Sequence, residues 1–187
     1  MEVITNSENM FTNDFREYEV VGFHATSSLA CKHIEVNGFL PDKILSEQEH
    51  ARLISIATSQ DIDTKDYEAW LRMRSVTFTI KSSSALNHVK QRNSGGQGLK
   101  NIDDILRGIN RTTCKDAEFL DKIKDNIEGI RSADPVIYAV NLSHLGRRLV
   151  TDNRKPFYYV YWDTTKSLPD VSEVAPTHII AKLLVQL

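Results

Sequence analysis

The order in which strand-like and helix-like periodicities follow one another constrains this chain most. Residues 17–23 (EYEVVGF) are β-branched and aromatic and read as a buried strand running out to His24. After Pro135 the strand character returns in residues 136–142 (VIYAVNL), 157–162 (FYYVYW) and 178–187 (HIIAKLLVQL). Between them lie helical patterns. Ile102, Ile105, Leu106 and Ile109 form one apolar stripe, and Leu120, Ile123, Ile127 and Ile130 form another. Strands at both ends around a helical middle predict an α+β fold in which the first and last strands share one core, without internal repeats.

Local signals refine this order. Ser27 stands where a helix cap belongs, with Leu29, Ala30, Ile34 and Val36 as its apolar side and Gly38 as its stop before Pro41. Ser46 and Glu49 have capping-box spacing, yet residues 53–57 (LISIA) suit a short strand as well as a helix. A helix starting at Thr64 and carrying Tyr67, Trp70 and Leu71 leads to a strand over residues 75–81. Asn101 and Thr113 occupy N-cap positions, with Asp104 and Asp116 three residues on. Residues 92–100 (RNSGGQGLK) read as a mobile loop.

At 187 residues, 41% hydrophobic and 26% charged, the chain is long enough for one substantial core. The expected organisation is a polar, flexible tail over residues 1–13 and a single domain over 14–187. A net charge of −2 supplies no field drawing the protein to nucleic acid or an anionic membrane. Cys31 and Cys114 have no metal-ligand spacing, and the six histidines are scattered, so neither a disulfide framework nor a metal site is expected. No apolar run reaches the roughly 20 residues of a membrane span, and no secretory signal is read at the N-terminus. A cytoplasmic, monomeric protein is the expectation, or one delivered into a target cell's cytosol.

Two segments could carry chemistry. His24, in GFHATSS, leaves the first strand where it can donate and accept hydrogen bonds, and Thr26 can fix its ring or the loop. Glu173, in SEVAP before the last strand, could stabilise positive charge on a substrate or accept a proton. Residues 95–98 (GGQG) lack the spacing and the Lys of a phosphate loop and read as a hinge. A Gly-x-Ser-x-Gly elbow is absent.

The segment 18–41 (YEVVGFHATSSLACKHIEVNGFLP) resembles the opening motif of ADP-ribosyltransferases, in the His-x-Thr branch that holds diphtheria-toxin-like and poly(ADP-ribose)-polymerase-like enzymes. Glu173-Val174-Ala175-Pro176 before an apolar strand is similar to that family's final motif. The resemblance implies a split β-sheet core with a helical middle section, and NAD as the ADP-ribose donor. His24 would bond a ribose hydroxyl. The backbone of Ala25, where the family commonly has Gly, would hold the nicotinamide amide. Glu173 would be catalytic, with Asp170 as a substitute. For the middle motif the resemblance implies Thr58, Ser59 and Tyr67 in the NAD site, with Tyr138 competing for the tyrosine role.

The implied activity is cleavage of the nicotinamide–ribose bond and transfer of ADP-ribose to a macromolecular acceptor, as a toxin or effector or as an ordinary enzyme. Val171, two residues before Glu173, departs from the paired acidic or amide pattern of arginine-modifying relatives, so the acceptor is a non-arginine group, with protein favoured over nucleic acid. The competing readings are a non-catalytic binding or inhibitory module on the same fold, and an RNA 2′-phosphotransferase-like enzyme.

Overall fold

A computed structural model of the chain describes residues 1–6, 8, 10–12, 14–40, 44–72, 75–90, 96–151, 157–161 and 174–186. The fold is α+β, with one mixed sheet and six α-helices among these residues. The strands are β1 (Glu2–Thr5), β2 (Val21–Ser27), β3 (Ser75–Thr79), β4 (Pro135–Asn141), β5 (Leu149–Thr151), β6 (Phe157–Tyr161) and β7 (Ile179–Leu184). They lie in the order β1-β7-β4-β2-β3-β6-β5. Only β1 and β7 run parallel; the other neighbours are antiparallel. The helices are α1 (Ser28–Asn37), α2 (Glu47–Thr58), α3 (Lys65–Arg72), α4 (Ser82–Lys90), α5 (Gly96–Gly108) and α6 (Ala117–Ser132). None of them is long and apolar enough to cross a membrane.

The chain divides into two compact units. The first, made of Met1–Pro41, Arg74–Ser94 and Ala133–Leu187, holds the sheet, α1 and α4. The second, Asp42–Met73 with Gly95–Ser132, holds α2, α3, α5 and α6. In the sheet unit, strand β4 is buried on both faces over Pro135–Val140. Its alternate residues Val136, Tyr138 and Val140 belong to a core with Cys31, Ile34, Phe39 and Phe78. Ile137 and Ala139 face the other way, against Ala85, Val89 and Phe15. This two-sided burial explains the unbroken apolar run of residues 136–140. In the helical unit, Leu53, Leu99, Ile102, Leu120, Ile123 and Ile127 close the core, each fully buried aliphatic side chain being worth about 1.5–3 kcal/mol.

Several expectations need correction. Residues 2–5, expected in a loose tail, form the edge strand β1, with Ile4 buried beside Phe15. The first strand begins at Val21, not at residue 17, because the chain turns at Phe15 (φ 57°) and Tyr18 N–H closes onto its carbonyl. His24 therefore sits within β2, not at its end. Leu29 and Val36 are exposed, and α1 buries Cys31 and Ile34 instead. The open segment 53–57 is helical, being the second half of α2, whose Ser46–Glu49 capping box is formed. Helix α5 already begins at Gly96, so residues 96–100 are neither loop nor hinge and Asn101 is a buried mid-helix residue; residues 92–95 lie outside the described residues. Thr113 ends a short 3-10 turn, Arg111–Thr113, that Asn110 caps, and α6 starts only at Ala117.

Candidate functional site

Strand β2 carries three of the residues singled out in the sequence. It can reach the middle of the sheet because Gly22 has no side chain: a Cβ there would lie 2.5 Å from Leu142 Cδ1 and 2.8 Å from Phe78 Cβ. Toward β4 the pairing is continuous, from Val21↔Asn141 through His24↔Tyr138 to Ser27↔Pro135. Toward β3 it is a single pair, Phe23↔Thr79, where Thr79 Oγ1 also donates to the Phe23 carbonyl at 3.2 Å. Beyond Phe23 the β2–β3 ladder opens, with no further pair among the described residues.

Alternation decides which groups line this opening. The Phe23 carbonyl points toward β3, and the N–H and C=O of one antiparallel strand residue point to the same side, as do those of the residue two positions on. The backbone N–H and C=O of Ala25 therefore face the edge of β2 that β3 has left. Its Cβ points to the opposite sheet face from His24, into the apolar cluster with Phe23 and Val21. Thr26 is buried.

The His24 ring spans the start of the opening. Its Nδ1–H donates to the Thr77 carbonyl of β3 at 3.0 Å. A carbonyl only accepts, so Nδ1 holds the proton and Nε2 of the neutral ring holds a lone pair. Burial pushes this imidazole below its ordinary pKa; the Thr77 bond opposes that, and repulsion from His88 adds to it. At neutral pH His24 is an uncharged hydrogen-bond acceptor at Nε2. Its ring lies 5.0 Å from Phe39 at 69° and 5.6 Å from Phe78 at 58°.

Phe39 ties this wall to the far end of the chain. Its N–H donates to the Val174 carbonyl at 3.0 Å, and the two form an isolated antiparallel bridge. Val174 is fully buried in the core that holds Phe39, Phe78 and Tyr138. Glu173, the preceding residue, and Asp170 lie outside the described residues. Strand β7, which follows Val174 after the turn Pro176–His178, lies in the same sheet as β2 with β4 between them.

Thr58, Ser59 and Tyr67 belong to the helical unit. Thr58 ends α2. Ser59 Oγ donates to the Ile56 carbonyl at 2.7 Å. The Tyr67 ring is buried and stacked on Trp70, its hydroxyl hydrogen-bonded to His50 Nδ1, and burial raises its pKa. All three have local structural employment.

Sequence reasoning named Tyr138 as a candidate but missed Glu35 and Lys182, with which it forms a polar group beside His24. Tyr138 and Lys182 are register partners on β4 and β7, and both donate to Glu35 Oε1 of α1, at 2.8 Å and 2.7 Å. A lysine in the middle of the apolar IIAKLLV was the available signal. No group of three or more His, Cys, Asp or Glu among the described residues could hold a metal ion.

No family model matches this chain, and neither does any curated protein or solved structure.

Proposed function

We propose that the chain is an NAD-dependent ADP-ribosyltransferase acting on a non-arginine acceptor, protein before nucleic acid. The observation that carries the reading is the opening between β2 and β3. It leaves the N–H and C=O of Ala25 unpaired by β3 and sets the acceptor nitrogen of His24 beside them. A nicotinamide amide, with one carbonyl and one NH₂, complements a free strand N–H and C=O. A ribose hydroxyl complements Nε2. These are the roles that the ADP-ribosyltransferase resemblance assigns to Ala25 and His24, and a sheet that parts at this point agrees with the split core of that fold.

In the reaction the bond between nicotinamide and ribose C1′ breaks and its electron pair leaves with nicotinamide. The ribose carbon takes on cationic character and the acceptor bonds to it while losing a proton. Glu173 is assigned the carboxylate that opposes the ribose charge, and its neighbour Val174 is held against Phe39, which contacts His24. Asp170 is the substitute.

The test is NAD titration by calorimetry together with mass spectrometry of acceptors for an added ADP-ribose. Wild type should bind NAD and His24→Ala should lose it. Glu173→Gln should stay folded and slow transfer by at least about a hundredfold, since it removes a charge used in the transition state. Full activity in Glu173→Gln with loss in Asp170→Asn would move the catalytic role by three residues. Absence of NAD uptake at millimolar concentration would favour a non-catalytic module.

A further inference from the structure

Helix α1 has little of its own to hold it in place. It is ten residues long, Ser27 makes no side-chain cap, and there is no acid in its first turn or base in its last. An isolated helix below about 12 residues is marginal in water, so α1 depends on tertiary contacts. Its buried apolar residues are Cys31 and Ile34, whereas Leu29 and Val36 face outward. The strongest remaining tie is Glu35. Its Oε1 takes hydrogen bonds from Tyr138, which is fully buried, and from Lys182, whose side chain is 15% exposed.

Both partners favour the ionised form of this carboxyl. The Lys182 hydrogen bond holds the Glu35 carboxyl below its ordinary range against the effect of burial, and the Tyr138 bond and the Lys182 charge add to it. Burial pushes Lys182 down, but the Glu35 and Cys31 interactions outweigh it and leave the ammonium above its ordinary value. Burial raises the Tyr138 phenol, with Cys31 and Glu35 adding, so it remains a donor.

From this anchor two short routes reach His24. Along the chain, α1 ends two residues after Glu35, Gly38 turns with φ 78° and returns its N–H to Ile34, and Phe39 follows against His24. Across the sheet, the Tyr138 ring that is bonded through its hydroxyl to Glu35 meets Phe39 edge-on at 5.8 Å. We propose that Glu35 is a positioning residue for the His24 wall: by binding Tyr138 and Lys182 together it fixes the end of α1, and with it Phe39, against the imidazole. The inference deepens the transferase reading and rests on it for one of its two readouts.

The experiment follows the His24 and Phe39 ring resonances by NMR and NAD affinity by calorimetry in Glu35→Gln, Lys182→Met and Lys182→Arg, with circular dichroism for folding. Glu35→Gln and Lys182→Met should each shift the His24 resonances beyond their linewidth and weaken NAD binding by about tenfold, whereas Lys182→Arg, which keeps a cationic donor, should restore both. A folded Glu35→Gln with resonances and affinity as in wild type overturns the proposal. Where Glu35→Gln fails to fold, the Lys182 pair decides: equal effects of Met and Arg, or none from either, overturn it. A wild type that binds no NAD removes the transferase reading, while the ring resonances still settle the role of Glu35.

Discussion

In the helical unit the charged side chains pair on the surface, whereas in the sheet unit Glu35 and Lys182 pair against a fully buried tyrosine. Arg52 bonds Asp116, Lys122 bonds Glu49 at 3.0 Å, and Arg131 and Arg107 both reach Asp103, at 2.8 Å and 3.1 Å. Beneath them the helical core is mostly Leu and Ile, completed by Ala57, Tyr67 and Phe119. Pairs that keep an exposed partner contribute little, and only Arg131–Asp103 among those named is part-buried, so that unit owes most of its stability to apolar packing. The sheet unit gives up part of its apolar interior to a carboxylate, an ammonium, a phenol and an imidazole. Polar groups placed inside are costly unless each finds its partner, and they cluster where a protein does chemistry. The helical unit buries one such pair too, His50 with the Tyr67 hydroxyl, so what sets the sheet unit apart is the ion pair that accompanies its phenol and imidazole.

The largest effect is expected in the helical core, where Leu120→Ala should lower stability by about 2–5 kcal/mol in urea unfolding, from lost transfer energy and the cavity left behind. The two lysines sharpen the contrast. Lys182→Met should cost about 1–3 kcal/mol, because it strands a half-buried carboxylate, whereas Lys122→Met, at the exposed end of its pair with Glu49, should stay under about 1 kcal/mol. Equal losses would show that the two pairs differ in position only.

The smallest effect is a pH dependence. Glu49 is lowered from 4.5 to about 2, first by the Ser46 backbone N–H, then by Lys122 and the Ser46 hydroxyl. A depressed carboxylate stabilises the fold fully above its unfolded value. The contribution should fade as pH falls from 4.5 toward 2, and Ser46→Ala should narrow that window. Urea midpoints measured across this range in wild type and Ser46→Ala check it.

What the sequence disclosed tracks how local each cause is. The Ser46–Glu49 box spans three residues and was legible, and so was the helix that begins after Thr64, whose hydroxyl reaches Glu68 at 2.6 Å. Strand β1 was not, because residues 2–5 (EVIT) are a short run inside a mostly polar segment and become a strand only through β7, some 180 positions away. Helix α4 was missed as well: its three opening serines are poor helix formers, and burial of Ala85 and Val89 against the sheet holds it. At the site, GFHATS picked out His24, yet the Thr77 carbonyl that sets its tautomer is 53 residues away and Lys182 is 147 residues from Glu35. Side chains that act through such partners leave no spacing to read.

The parting of β2 from β3 also has a consequence in time. Strand β2 lies inside the sheet, and most amides so placed exchange their protons with water only when the structure opens. The Ala25 amide is turned to the side where no β3 partner binds it, so it should trade hydrogen for deuterium much sooner than the amides of β4, which has a partner strand along both edges. A fast clock at Ala25 inside a slow sheet would mark the opening in the free protein, and a molecule that seats itself there would slow that clock.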